Sequence, residues 1–145
     1  MRDIDIAYIA GLFDGEGHVT IADTKTGISL RAAISNNNIL ILQWIIDSIG
    51  MGCLYKESQK YLKNTNIIKL DCYRLHLTGY EAGLFLTMIE PYIRIKKKQV
   101  NIGIEFAKTY IRRLNLGKKI TQEIKEKRML YRNEVLELNK SKGRV

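Results

Sequence analysis

One face of the first predicted helix carries almost no side-chain bulk. Residues 4–13 lack the alternation of a strand, and small residues recur at helical spacing at Ala7, Ala10 and Gly11, followed by Asp14. A glycine inside a helix costs about 1 kcal/mol relative to alanine. That cost is offset where the absent side chain lets a second helix approach closely. The pattern therefore predicts that this helix packs against another helix.

Two carboxylates follow this helix, on either side of one glycine, in Asp14-Gly15-Glu16-Gly17. The C-terminal end of a helix has unpaired carbonyls and partial negative charge, so an acid there is disfavoured by about 0.3–1 kcal/mol unless a cation balances it. A hard divalent ion such as Mg²⁺ would do so, because it prefers carboxylate and carbonyl oxygens. The alternative is a simple turn between a helix and a strand.

Two hairpins are predicted in the first 90 residues from the alternation of apolar and polar side chains. The first runs from Val19 to Ile34 around a turn at Lys25-Thr26-Gly27. The second pairs residues 53–59 with residues 67–78, whose later half alternates well. Each hairpin is therefore expected to have one apolar face and one polar face.

Four further helices are predicted from their caps and apolar stripes. One spans residues 39–49, where three consecutive asparagines offer N-caps and Gly50 supplies the left-handed residue that ends a helix. The next begins at a capping box formed by Thr78 and Glu81 and ends at Pro91. Two basic amphipathic helices, residues 95–114 and 121–139, complete the chain.

This order of elements predicts the fold class. The sequence α-β-β-α-β-β-α, followed by C-terminal helices, indicates an α+β fold with one mostly antiparallel, saddle-like sheet. Helices are expected on one face of the sheet, leaving the other face free as a binding surface. The 145 residues suit a single domain, with its core in residues 4–114 and a helical extension in residues 118–140.

The positive charge is concentrated in the last third of the chain. Lys and Arg number 24 against 15 Asp and Glu, for a net charge of +9. Residues 1–90 contain 8 basic and 10 acidic residues, whereas residues 91–145 contain 16 and 5. A basic surface of this kind favours a polyanionic partner, nucleic acid first, over acidic proteins or neutral metabolites.

The expected environment is the reducing interior of a cell. No apolar run approaches the roughly 18–20 residues of a membrane span, so no membrane association is expected, and acids stand where a signal peptide carries basic residues. The expected location is the cytoplasm or nucleoid, or an organelle matrix. Cys53 and Cys72 match no zinc or redox spacing and are predicted to be free thiols. The alternative is a metal cluster that also involves His18 and His76.

Residues 9–17, Ile-Ala-Gly-Leu-Phe-Asp-Gly-Glu-Gly, resemble the signature of the LAGLIDADG homing endonucleases. Ile34-Ser35-Asn36, Gly50-Met51-Gly52 and residues 90–99 agree with the same family, so the resemblance covers most of residues 4–114. The predicted helix at residues 121–139 also resembles the tail of many members. Two departures are Glu16, where the motif's name has Asp, and Leu40, where a basic active-site residue can occur. The second departure leaves that basic role unassigned.

The resemblance implies a site-specific endonuclease that cuts both strands of DNA with a divalent metal ion. It makes Glu16 the metal ligand, with the Gly15 carbonyl beside it, Asn36 a residue that orders water, and Lys96 a residue near the scissile phosphate. The simpler alternatives are an N-cap for Asn36 and a solvated charge for Lys96. The expected cofactor is Mg²⁺ or a similar ion such as Mn²⁺. Ca²⁺ is expected to bind without supporting cleavage.

The resemblance also implies a homodimer, because a chain with one motif supplies one Glu16 for a duplex of two strands. The helix then lies at the dimer interface through Ala7, Ala10, Gly11 and Asp14, and the DNA target is pseudo-palindromic. Members of the family are typically encoded within introns, which makes intron RNA a further candidate partner.

The free sheet face is expected to bind double-stranded DNA. A two-stranded ribbon fits the major groove, where Arg and Gln can pair bidentately with base edges. The side chains placed on this face by alternation are His18, Thr20, Ala22, Thr24, Ser29, Arg31, Ala33, Tyr55, Glu57, Gln59, Arg74 and His76.

Two other functions compete with an endonuclease. The first is a nucleic-acid binder that does not cleave, such as an intron RNA maturase or a transcription factor on the same scaffold. The second is a protein whose basic tail docks on ribosomes or acidic membranes. The retained Glu16 favours the endonuclease, because neither alternative needs a metal ligand at that position.

Overall fold

The described part of the chain contains five α-helices and four strands in the predicted order. The structure is a computed structural model, described over residues 1–57, 71–110 and 120–141. The elements are α1 (Asp3–Glu16), β1 (Gly17–Thr24), β2 (Gly27–Asn36), α2 (Ile39–Ile49), β3 (Cys53–Lys56), β4 (Tyr73–Thr78), α3 (Gly79–Ile89), a 3₁₀ turn (Glu90–Tyr92), α4 (Lys97–Ala107) and α5 (Gln122–Lys140). The predicted α+β class is confirmed. The predicted ends at Gln59 and Leu114 lie outside the described residues.

The four strands form one antiparallel sheet in the order β1-β2-β4-β3. Its apolar face follows the predicted alternation, since Ile21 pairs with Leu30 and Ile34 pairs with Leu75. These four side chains are all buried beneath the helices. The fold therefore leaves the opposite, polar face of the sheet uncovered by the described helices.

Helices α3 and α4 pack closely because two glycines face their neighbours. A Cβ atom on Gly83 would lie 2.5 Å from the Cβ of Ala107, and one on Gly103 would lie 2.5 Å from Cδ1 of Leu86. Real Cβ atoms do not approach so closely, so a larger residue at either position would force the two helices apart. Phe13 of α1 joins this core through an edge contact with Phe85, at 5.5 Å between ring centroids.

The predicted cap of α2 is confirmed, whereas that of α3 is wrong in its chemistry. The Oδ1 of Asn38 accepts the Leu40 N–H at 3.0 Å, and Gly50 is left-handed with φ 70°. Thr78 precedes α3 but makes no side-chain cap. Its expected partner, Glu81, accepts the N–H of Gly52 at 3.3 Å instead. The acid is therefore engaged by a loop that is distant in sequence and cannot close a local box.

Helix α5 is fastened to the core by Arg128. This buried guanidinium donates from Nε to the Thr109 hydroxyl at 2.8 Å and from Nη2 to the Thr109 carbonyl at 3.1 Å. It also lies over the Tyr110 ring, at 4.9 Å from the centroid. At the other end of α5, Asn139 donates to the carbonyl of Val19 on β1 at 3.1 Å.

No helix in the described residues is long and apolar enough to cross a membrane.

Replacing Arg128 by Ala is expected to lower the free energy of unfolding by about 2–3 kcal/mol, because two charge-assisted hydrogen bonds and a cation–π contact are lost together. Urea denaturation checks this value. Lys125→Ala, at an exposed position of the same helix, is the control and is expected to change stability by less than about 0.5 kcal/mol. Equal effects of the two substitutions would contradict the assignment.

Candidate active site and nucleic-acid interface

A reciprocal set of hydrogen bonds ties the end of α1 to the segment before α4. The Asp14 carboxylate accepts the backbone N–H groups of Arg94 at 2.7 Å, Ile95 at 3.2 Å and Lys96 at 3.0 Å. In return, Nζ of Lys96 donates to the carbonyl of Phe13 at 3.1 Å and to the carbonyl of Asp14. Lys96 is thus the cation that balances the negative end of the helix, although it lies 82 residues from Asp14 in sequence.

Asp14 stays ionised at neutral pH because of this arrangement. Burial alone would raise the pKa of Asp14, but the N–H groups of residues 94, 96 and 95 and the charge of Lys96 outweigh burial and hold the pKa below 3.8. Asp14 is only 8% exposed and Lys96 only 6%. Removing the charge of Lys96 would therefore weaken the stabilisation of the Asp14 carboxylate.

Replacing Asp14 by Asn is expected to lower the free energy of unfolding at pH 7 by about 1–3 kcal/mol, because three backbone donors, of which that of Lys96 is buried, lose a charged acceptor. A lowered folded pKa stabilises the protein above the ordinary value of 3.8, and this stabilisation is lost as the pH falls through the folded pKa. The difference between wild type and variant should therefore shrink below about pH 4. Urea denaturation at pH 7 and pH 3 measures it, with exposed Asp23→Asn as the control.

The three consecutive lysines point to three different environments. Lys96 is buried against α1, so the alternative of a solvated charge is wrong for this residue. Lys97 donates to the Glu90 carbonyl at 3.0 Å and pairs with the Glu90 carboxylate. Lys98 is exposed beside a groove between α4 and α5. The proximity of Lys96 to a scissile phosphate stays a prediction.

Glu16 ends α1 as an exposed carboxylate. Its side chain makes no hydrogen bond or ion pair with any residue that the structure describes, and a Cβ on Gly15 would meet no atom within 4 Å. Space therefore surrounds the two residues predicted to bind metal. The described residues contain no group of three or more His, Cys, Asp or Glu side chains that could hold a metal ion.

A Mg²⁺ ion fits this donor set in one particular way. Mg²⁺ commonly keeps several waters and is bound by one or two carboxylates together with substrate phosphates. Glu16 with a neighbouring backbone carbonyl supplies the protein's share of such a shell, and a DNA phosphate would supply more. The set is too small for a metal held by the protein alone.

Asn36 lies on the helix-covered side of the sheet. It pairs with Tyr73 in the row beyond Ile34, and its Oδ1 accepts the N–H of Asn38 at 2.8 Å. The N-cap alternative is wrong for Asn36, since Asn38 caps α2, and the role of Asn36 in ordering water stays a prediction. The residue that faces the open side at this strand end is Ser35, which sequence reasoning missed although it continues the alternation of Arg31.

Register confirms the predicted facing of the polar residues. Thr20, Arg31 and Thr78 form one row, and a second row contains His18, Ala33, His76 and Cys53. A third row contains Ser35, Arg74 and Tyr55. Ser29 and Thr24 continue the same face toward the hairpin tip, where the Thr24 hydroxyl donates to the Gly27 carbonyl at 2.6 Å. Gln59 lies outside the described residues.

The open face is polar and held in place by its own contacts. The Tyr55 hydroxyl lies 2.8 Å from Nδ1 of His76, and Nε of Arg31 is buried without a hydrogen-bond partner among the described residues. Burial, followed by the charge of Arg74, lowers the pKa of His18 below its ordinary value, and burial, followed by the charges of Arg31 and Arg74, lowers the pKa of His76. The arginines carry the positive charge of this face.

The exposed face of α1 differs from the predicted interface. Ala10 is fully buried and Asp14 nearly so, because both point into the protomer, whereas Ala7 is half-buried. Between its two exposed ends, Asp3 and Glu16, the solvent-facing residues of α1 are Ile4, whose exposed fraction is 69%, Tyr8, whose exposed fraction is 55%, Gly11 and Gly15. We call these four residues the α1 stripe. The stripe ends beside Glu16, the last residue of α1, and β1 follows directly.

Cys53 is exposed and Cys72 half-buried, and both are free thiols, as predicted. The alternative of a Cys and His metal cluster fails, since the described residues hold no such group.

Leu40 occupies the position where a basic active-site residue can occur in the family. It lies on the first turn of α2, and its exposed fraction is 74%.

Comparison with known proteins gives structural matches. No family model matches the sequence, and no curated protein matches it. The homing endonuclease I-CvuI, in complex with its target in the presence of 2 mM Ca, superposes with a TM-score of 0.68 at 15% identity, over 93% of this chain and 82% of that chain. The archaeal intron-encoded homing endonuclease I-Vdi141I, complexed with DNA, gives 0.66 at 18% identity, over 94% and 85%.

A third match concerns a longer chain. The LAGLIDADG homing endonuclease I-GzeII, in complex with its DNA target, gives a TM-score of 0.65 at 18% identity, over 92% of this chain but only 44% of that chain. These likenesses agree with the element order and the antiparallel sheet. The chain therefore has the fold of the LAGLIDADG homing endonucleases.

Proposed function

We propose that the protein is a site-specific double-strand DNA endonuclease that acts as a homodimer and hydrolyses phosphodiester bonds with a divalent metal ion. One observation carries the proposal: Glu16 is an exposed carboxylate with no hydrogen bond or ion pair among the described residues, at the end of α1 where β1 begins. Solved proteins of the same fold are homing endonucleases, several of them bound to DNA.

The expected metal is Mg²⁺ or Mn²⁺, held by Glu16 and the Gly15 carbonyl. Such an ion, when bound, lowers the pKa of water and stabilises negative charge on phosphate oxygens. The chain's own contribution is to hold the carboxylate in place. The tie between Asp14 and Lys96 fixes the last turn of α1, and Lys96 adds a positive charge close to where a phosphate would lie.

The α1 stripe supports a homodimer. Ile4 and Tyr8 expose large apolar surfaces, and Gly11 and Gly15, four residues apart, would let a second helix approach closely. Because this chain spans 44% of I-GzeII, that protein is long enough for two copies of the fold. Two copies of the present chain about a two-fold axis would place one Glu16 at each DNA strand.

DNA recognition is divided between two surfaces in this proposal. The open sheet face would contact base edges, while the basic residues of the last third would contact phosphates and supply most of the affinity. A symmetric dimer reads two related half-sites, which predicts a pseudo-palindromic target. With DNA as its substrate, we place the protein in the cytoplasm or nucleoid, or in an organelle matrix.

A cleavage selection tests the proposal. Purified protein is incubated with a randomised duplex pool and Mg²⁺, Mn²⁺, Ca²⁺ or EDTA, and the cut ends are sequenced. We expect one pseudo-palindromic motif cut in both strands with Mg²⁺ or Mn²⁺, and no cutting with Ca²⁺ or EDTA. A protein that retards DNA but cuts none of it with any metal would overturn the proposal.

One observation favours a second candidate, a nucleic-acid binder that does not cleave, such as an intron RNA maturase or a transcription factor. Leu40 stands exposed where a basic active-site residue can occur. The open sheet face and the basic last third would serve such a binder equally well. The same selection separates the two functions, because the binder enriches bound sequences without generating ends.

A further inference from the structure

The open face of the sheet holds one guanidinium between an acid and a hydroxyl. Nη2 of Arg74 forms an ion pair with Oε1 of Glu57, just after β3, and Nε of Arg74 donates to the Ser35 hydroxyl at 3.2 Å. The side chains of Arg74 and Glu57 are 37% and 30% exposed. The pair is therefore fixed in orientation yet within reach of a ligand on this face.

The pair keeps hydrogen-bonding capacity on its exposed side. A guanidinium has five N–H donors, and Ser35 and Glu57 use two of those of Arg74, which leaves three. A carboxylate accepts about four hydrogen bonds. Arg74 uses part of that capacity of Glu57. Two donors and an acceptor can thus face outward side by side.

This set complements one base pair in the major groove. Guanine presents two acceptors there, N7 and O6, and cytosine presents the N4 amino donor. We propose that Arg74 and Glu57 together read one G·C base pair in each half of the DNA target, with Arg74 donating to guanine and Glu57 accepting from cytosine. The inference rests on the proposed function and names one feature of its substrate.

The geometry argues against a merely neutralising role for Glu57. An acid on a surface that binds a polyanion is repelled by the phosphates unless it makes a contact of its own. The contacts with Ser35 and Glu57 also order Arg74 before binding, which lowers the entropic cost of the complex. An A·T pair would present the N6 amino group of adenine to the donors of Arg74 and would be rejected.

A binding selection tests the inference on the full chain. Wild type, Glu57→Gln and Arg74→Ala are each used to enrich a randomised duplex pool, with Ca²⁺ in place of Mg²⁺ so that bound DNA stays intact. Glu105→Gln is the matched control, since Glu105 pairs with Lys108 on exposed α4 and not on the sheet face. We expect wild type and the control to enrich one G·C pair per half-site, and both sheet variants to lose that preference by about 5- to 150-fold.

A base analogue provides a second readout that does not depend on the stability of a variant. Replacing the cytosine of that pair by 2-pyrimidinone removes only its amino group. We expect this change to weaken binding by wild type about tenfold and to leave binding by Glu57→Gln unchanged. An equal loss for both proteins would overturn the inference.

The failures of the two proposals are distinguishable. If wild type enriches a motif and Glu57→Gln enriches the same base pair equally strongly, the reading role of Glu57 is wrong while the proposed function stands. If wild type enriches no sequence, the proposed function fails, and this inference fails with it.

Discussion

Replacing Glu16 by Gln is expected to lower the rate of DNA cleavage by about 10³-fold or more while leaving DNA binding within about twofold of wild type. The substitution removes the anionic metal ligand at nearly constant volume, and stabilisation of charge by a metal is worth several kcal/mol. Single-turnover cleavage of the selected site in Mg²⁺ measures the rate, and a binding titration in Ca²⁺ measures the affinity.

The position of Glu16 in the structure indicates that this substitution leaves the stability of the fold almost unchanged. Because Glu16 has no hydrogen bond or ion pair among the described residues, the free energy of unfolding of the variant should lie within about 0.5 kcal/mol of the wild-type value. Glu105→Gln makes the same chemical change on α4 and is expected to keep full activity. Cleavage by Glu16→Gln within tenfold of wild type would refute the metal-ligand assignment.

Replacing Gly11 by Leu is expected to convert a homodimer into a folded monomer that no longer makes double-strand breaks. Gly11 is exposed, and a Cβ there would meet no atom within 4 Å in the protomer, so the protomer itself tolerates the side chain. Helix propensity should even improve by roughly 0.8–1 kcal/mol. Between two α1 stripes, however, the added side chain would hold the helices apart.

Analytical ultracentrifugation at micromolar concentration, with and without DNA, measures the oligomeric state, and thermal unfolding verifies the fold of the variant. Glu134→Leu adds an exposed leucine to α5 instead and should leave the oligomeric state unchanged. A wild type that stays monomeric under both conditions would show that the two-fold model is wrong.

Periodicity was sufficient to predict the layers of this fold. Apolar side chains recur at every second residue through Val19 and Ile21, and this period determines which face of the sheet is buried. The same period predicts from the sequence alone that Arg31 and Arg74 lie on the opposite face. Helix α2 was predicted to the residue because Asn38 and Gly50 act locally. Local chemistry of this kind is encoded in neighbouring residues and can be read from them directly.

Long-range polar contacts were not predictable in the same way. The negative end of a helix predicts that a cation lies near Asp14. The sequence does not indicate which of the basic residues provides it, and the structure shows that it is Lys96. Similarly, small residues permit close packing on any side of a helix, so composition alone could not show that Ala10 faces the protomer core while Gly11 faces solvent. Glu81 likewise had two suitable partners, and only the tertiary fold decided between them.

The hydrogen bond from Asn139 to Val19 affects whether the protein can aggregate through the edge of its sheet. β1 is an edge strand, and an uncovered edge strand offers its backbone to a strand of another molecule. Helix α5 lies along this strand and occupies a backbone acceptor there with a side-chain amide. The C-terminal helix thus protects this edge of the sheet against pairing with a strand of another molecule.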